Sequence, residues 1–165
     1  MSSPALAPLR RIRLVTVAVI PLLAAVVLAT AAADSTVPAV LPVLLVAVTG
    51  AAAIGGVVAA NRMLERQAPT AAEAGAALRS HAFLQLAIAE FPLLLAVALA
   101  YVMGPAWVVL PGAAAALAAL LIGPPTTARA HRLETLWDLP ADTVTHGPPA
   151  SSDDEDPDDD KDVRA

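Results

Sequence analysis

The chain of 165 residues contains no cysteine, which excludes disulfides and thiolate metal sites. Aromatic residues make up 3%, too few for the base-stacking platforms of nucleic-acid binders, and no nucleic-acid partner is expected. Charge is scarce as well, at 15% of residues against about 25% in a typical soluble domain. Lysine is nearly missing: the ten basic residues are nine Arg and one Lys. The sequence has no Gly-x-Ser-x-Gly, no phosphate-binding loop and no His-Glu-x-x-His. His81, His131 and His146 lack metal-ligand spacing. With no such chemistry in view, neither an enzyme nor a bound cofactor or metal is expected.

What fills the chain instead is apolar. Hydrophobic residues reach 58% and the mean hydropathy is +0.69. Uncharged or nearly uncharged runs cover residues 14–33, 37–60, 82–102 and 106–122, with lengths of 20, 24, 21 and 17. At 1.5 Å per residue, about 20 residues cross a hydrocarbon core of roughly 30 Å. Three runs meet that length and the fourth sits at its lower limit. Only helices and closed barrels satisfy their backbone groups in lipid, and these runs lack the alternation of barrel strands. The expected fold is all-α, a bundle of four transmembrane helices whose first partner is the lipid bilayer.

Arginine placement tests the scheme separately. Arg10, Arg11 and Arg13 precede the first run, Arg62, Arg66 and Arg79 lie between the second and third, and Arg129 and Arg132 follow the fourth. The connections around Asp34 and Gly104 carry no basic residue. If four helices alternate, all ten Lys and Arg fall on one side, which the positive-inside rule makes the cytoplasm. The expectation is a multi-pass protein of the cell (inner, cytoplasmic) membrane, with both termini inside.

The domain plan follows. Residues 1–13 form a basic cytoplasmic N-terminus, 14–123 the transmembrane domain, 124–146 a juxtamembrane segment and 147–165 an acidic tail. The N-terminal region with "ATAAADS" also resembles a cleavable signal peptide, and Arg10-Arg11 resembles a twin-arginine signal. Its apolar run is longer than a usual signal core and a second span follows at once, so an uncleaved first helix is expected. In the juxtamembrane segment Leu133, Leu136 and Trp137 recur at helical spacing beside Arg129 and Arg132, which suits a short amphipathic helix lying at the inner interface. Eleven of the fifteen acids lie at or beyond Glu134. The tail "GPPASSDDEDPDDDKDVRA" cannot bury enough apolar surface to fold, has no calcium-loop spacing and is expected to be disordered.

One residue interrupts the apolar pattern. Glu90 stands near the middle of "FLQLAIAEFPLLLAVALAYV", at a depth where a charge costs roughly 2.5–3.5 kcal/mol. A carboxyl there needs protonation, a partner inside the bundle or a hydrated cavity. Thr49, midway along the second run, is the candidate partner. Beside it "TGAAAIGG" places Gly50, Gly55 and Gly56 where small residues permit close helix packing. Pro21, Pro42, Pro92 and Pro111 stand inside the four runs, as packing features of membrane helices.

Residues 50–101 resemble the helical hairpin of the proteolipid ring subunit (subunit c) of rotary ATP synthases. The likeness rests on the small-residue run "GAAAIGGVVAA", on Arg66-Gln67-Ala68-Pro69 beside that family's cytoplasmic Arg-Gln-Pro loop, on Arg79, and on "LAIAE" ending at Glu90. The resemblance implies that Glu90 is an ion-carrying carboxylate and that Arg66, Gln67 and Pro69 belong to a rotor-contact loop. Two functions are therefore carried forward. One is a small accessory or interaction subunit with an intramembrane glutamate, acting through a membrane-protein partner or as a homo-oligomer. The other is a proton- or cation-handling protein that uses Glu90.

Overall fold

The computed structural model of the chain describes residues 7–31, 38–122, 126–141 and 143–146. Among these residues every regular element is helical: α1 Ala7–Thr30, α2 Val40–Glu65, α3 Ala71–Val102, a 3-10 turn Ala106–Val108 running into α4 Val109–Leu121, α5 Thr127–Leu136 and α6 Thr143–His146. The connection holding Asp34 and the acidic tail from 147 onward, with the disorder expected of it, lie outside the described residues.

α1, α2 and α3 have 24, 26 and 32 residues, about 36, 39 and 48 Å by helical rise, and are apolar enough to cross a membrane. The fourth apolar helix, Ala106–Leu121, is shorter, about 24 Å by the same measure. α2 and α3 run well past their apolar stretches, leaving only residues 66–70 as a turn between them. Strong helix formers such as Ala, Leu, Glu and Arg continue both helices where hydropathy alone stops. Thr70 starts α3: its amide and its hydroxyl both donate to the Glu73 carboxylate, at 3.2 and 2.8 Å. Those two bonds, the hydroxyl's first, hold the Glu73 carboxyl below its usual range.

The prolines divide into two kinds. Pro21 and Pro92 are interior to α1 and α3. Pro42 and Pro111 fall in the first turns of α2 and α4, where a missing N–H deprives no carbonyl of a bond.

α3 and α4 form the central pair, with α2 packed on both and α1 on both. Their crossing is close because Gly112 has no side chain; a β-carbon there would collide with Ala96 Cβ and lie 2.9 Å from the Pro92 carbonyl. The main core joins Ile20, Ala24 and Val27 of α1 to Val57, Leu93, Val109, Ala116 and Leu120. Between α3 and α4 the chain reverses at Gly104, whose φ of 60° suits a residue without a β-carbon. Outside, large apolar side chains such as Leu14, Leu22, Leu44, Val48, Phe91 and Leu94 are exposed. Helices that are apolar nearly all round and bury only one stripe belong in lipid, so the chain reads as a membrane protein.

A second core closes the arginine-bearing end. Leu9, Leu64, Ala74 and Leu78 meet Ala130, Leu133 and Trp137 of the α5 region and Val144 of α6. This differs from the expected helix lying on the lipid interface. Leu133 and Trp137 are buried against α2 and α3, and only Leu136 of the three stays exposed. The helix ends of α2 and α3 project far enough beyond their apolar stretches to offer α5 a protein surface.

Candidate functional site

Glu90 sits on α3 at a boundary. Leu86, Leu93 and Val97, on one flank of its helical face, pack into the core shared with α1. Phe83, Leu94 and Tyr101, on the other flank, are exposed. The side chain is half-buried, at the rim of the α1–α3 groove. Among the described residues no hydrogen bond or ion pair reaches it.

The expected pairing with Thr49 does not form. The Thr49 hydroxyl donates to carbonyls of its own helix, Leu45 at 2.8 Å and Val46 at 3.1 Å, which satisfies it locally. Glu90 is also turned the wrong way. Ile88 is one of the α3 residues that meet α2, since a β-carbon on Gly56 would lie 3.1 Å from Ile88 Cγ2. Two residues on, Glu90 lies about 160° around the helix from that contact. Of the small residues, Gly50 packs against α4, with its notional β-carbon 2.9 Å from Ala115 Cβ. Gly55 meets nothing within 4 Å and faces outward.

At the end of the same groove away from the arginines, Thr30 of α1 and Tyr101 of α3 share a hydrogen bond. Thr30 also donates to Val26 O at 2.8 Å. Arg66 and Gln67 are exposed and Pro69 half-buried, all within the 66–70 turn; Arg79 is exposed on α3.

The arginine-bearing end holds a polar cluster centred on Asn61 of α2. Its side-chain oxygen accepts from His81 Nε2 at 3.3 Å, from the Gln85 amide and from the Arg129 guanidinium. One acceptor thus ties α2, α3 and α5 together. Glu65, one turn on, lies 3.8 Å from Arg132. Burial, then the charge of Arg129, lowers the pKa of His81, which stands just outside the apolar run of α3. Arg129 is itself lowered, by burial first; Glu65 opposes that shift and Arg132 adds to it.

Glu134, the first of the eleven acids in the C-terminal part of the chain, is only 3% exposed. Its Oε1 accepts the Val144 amide at 2.8 Å and its Oε2 meets His131 Nδ1 at 3.0 Å, so it pins α6 to α5. Its helical position, among Ala130, Leu133 and Trp137, is the signal that marks it. The Asn61 cluster was legible too, in the i, i+4 spacing of His81 and Gln85 on one face of α3.

No protein-family model, curated protein or solved structure matches this chain.

Proposed function

We propose that the protein is a small multi-pass integral membrane protein, a non-enzymatic interaction subunit that offers Glu90 to a partner helix in the same bilayer. In this reading α1, α2, α3 and Ala106–Leu121 all cross the cell membrane. The arginine-bearing end is cytoplasmic, because the alternation of helices gathers all ten Lys and Arg on one side. The observation that carries the reading is the position of Glu90, half-buried at a groove rim with no bond inside the described chain. A carboxyl left to lipid costs roughly 2.5–3.5 kcal/mol, and a donor on a neighbouring helix offsets that cost. The partner is another membrane protein or a second copy.

The test is site-specific photo-crosslinking in membranes. A photoreactive residue at Leu94, exposed one turn from Glu90, is expected to give a discrete protein adduct. The same probe at Leu44, exposed on α2, is expected to give none. Adducts to lipid alone at both positions contradict the reading.

A second reading is supported by the same half-buried position at the rim. Carboxylates of proteolipid ring subunits lie at the outer surface of their rings, and here Arg66-Gln67-Ala68-Pro69 occupies the turn of a tight α2–α3 hairpin. In that reading Glu90 exchanges a proton or cation with a neighbouring subunit. Loss of ion-dependent activity in Glu90→Gln, with intact folding and assembly, separates it from the first.

A further inference from the structure

α6 fixes the point from which residues 147–165 leave the bundle. Val144 lies in the second core with Leu9 of α1 and with Ala74 and Leu78 of α3. The buried Glu134 carboxylate accepts its amide at 2.8 Å. α6 ends two positions on, at His146, beside the N-terminal turns of α1 and α3.

The surface around that point is basic. Arg10 follows Leu9 and Arg79 follows Leu78, so each arginine starts about 100° around its helix from the second core. Arg10, Arg11 and Arg79 are exposed, and among the described residues no carboxylate or hydrogen-bond acceptor meets them. The acids at this end are engaged elsewhere. Glu65 lies 3.8 Å from Arg132, Glu73 accepts from Thr70, and Glu134 accepts from Val144. Eight arginines stand here against four described acids, the fourth being exposed Asp138.

Residues 147–165 carry the opposite sign, with eight acids against Lys161 and Arg164. Their acidic run opens at Asp153, seven residues past His146. A spacer of that length spans at most ~25 Å, which brings the acids within reach of Arg10, Arg11 and Arg79. Tethering through a short linker holds them at an effective concentration on the order of millimolar. One exposed ion pair contributes little, but several tethered acids over several free cations act together.

We propose that residues 153–160 dock in cis on the face formed by Arg10, Arg11 and Arg79, held by charge and not by a packed core. The docked segment shields these arginines from anionic headgroups. The inference uses neither Glu90 nor the sidedness of the membrane reading, so it stands or falls separately from them.

The chain has no cysteine, so spin labels go on Val163→Cys, just past the acidic run, and on Ala76→Cys, an exposed position one turn before Arg79. Dipolar spectroscopy on full-length protein in phosphatidylcholine vesicles, with labelled chains diluted by unlabelled ones, reads their separation. A short, narrow distance distribution is expected at low ionic strength. In about 1 M salt, where charges are screened beyond roughly 3 Å, it should lengthen and broaden. Arg10→Gln, Arg11→Gln and Arg79→Gln together should lose the short component at low salt, with helix content unchanged because these side chains are exposed. Asp153→Asn, Asp154→Asn and Asp156→Asn together, which leave the bundle untouched, should lose it as well. A distribution indifferent to salt overturns the proposal, as does one indifferent to either set of substitutions. A dipolar signal between singly labelled chains places the segment on a second copy and overturns the docking in cis. Loss of the short component when phosphatidylglycerol is added gives the arginines to lipid, with the same consequence.

Discussion

The indole of Trp137 donates to the carbonyl of Leu64 at 3.2 Å, joining α5 to the end of α2 across 73 positions of sequence. That carbonyl is one of the last in α2, without an i+4 amide inside the helix, and it also accepts from the Gln67 amide at 3.1 Å. Trp137 thus caps one helix while burying its ring in the second core. Trp137→Phe keeps most of the packing and loses the donor, so a destabilisation of about 1 kcal/mol is expected. Trp137→Ala should cost about 3–5 kcal/mol. Thermal unfolding in detergent measures both, and identical melting for Phe and wild type would show that the bond contributes nothing.

The glycines should separate sharply on substitution. Gly112→Ala drives a methyl into Ala96 Cβ and the Pro92 carbonyl, backbone that cannot swing aside. Overpacking of this kind costs about 1–3 kcal/mol. Gly55→Ala meets open space and gains helix propensity, so it should be neutral or slightly stabilising. Equal effects at the two sites, read by unfolding in detergent, would contradict the close α3–α4 crossing.

His81 should make the arginine-bearing end acid-sensitive. Its folded pKa is depressed, by burial and then by Arg129. The unfolded chain therefore binds more protons below about pH 6.5, the ordinary histidine value, and stability falls as pH drops through that value toward the folded pKa. Above it the contribution is complete. His81→Gln removes this titration and should flatten the slope of stability between about pH 7.5 and 5.5. A slope unchanged by the substitution refutes the assignment.

Sidedness is open to reporter fusions. A phosphatase fused after Pro38, at the start of α2, should be active outside the cytoplasm, and one inserted at Gln67, in the 66–70 turn, should be silent. The argument is the placement of Arg62, Arg66 and Arg79 around that turn. An active reporter at Gln67 inverts the topology.

Hydropathy made the helices legible and misjudged their ends. It marked residues 82–102 of α3 but could not see that 71–81 continue the helix, because alanine, leucine and arginine there express helix propensity and not lipid solubility. That extension is what gives α5 a surface to dock on, so the same gap made Leu133 and Trp137 look lipid-facing. Glu134 was hidden for a related reason. Its spacing from Ala130 and Trp137 sets it on the packing face of α5, but the α6 amide that it accepts is a tertiary contact that spacing does not show. At Glu90 hydropathy marks the depth of the carboxyl along α3, but depth along a helix does not tell azimuth, and the residue faces the α1 side while Thr49 belongs to α2.

Glu90 carries the remaining functional question, and two substitutions with one reagent separate its possible roles. Glu90→Gln keeps the length, the carbonyl oxygen and an N–H donor, and removes the exchangeable proton. Glu90→Ala removes the bonding group altogether. If a partner helix bonds this side chain, Gln should assemble as wild type does. Ala should weaken association by about 0.6 kcal/mol, roughly threefold, which is typical of a hydrogen bond between membrane helices. Quantitative co-purification or the yield of the Leu94 crosslink reports that difference. If the group carries ions, both substitutions should abolish transport while assembly persists. A lipid-soluble carbodiimide should then modify wild-type Glu90 and leave Glu90→Gln unlabelled. The half-buried position at the groove rim leaves the carboxyl within reach of such a reagent from the bilayer. An intact crosslink in Glu90→Ala would remove the interaction reading, because the same groove would then be holding its partner through apolar packing alone.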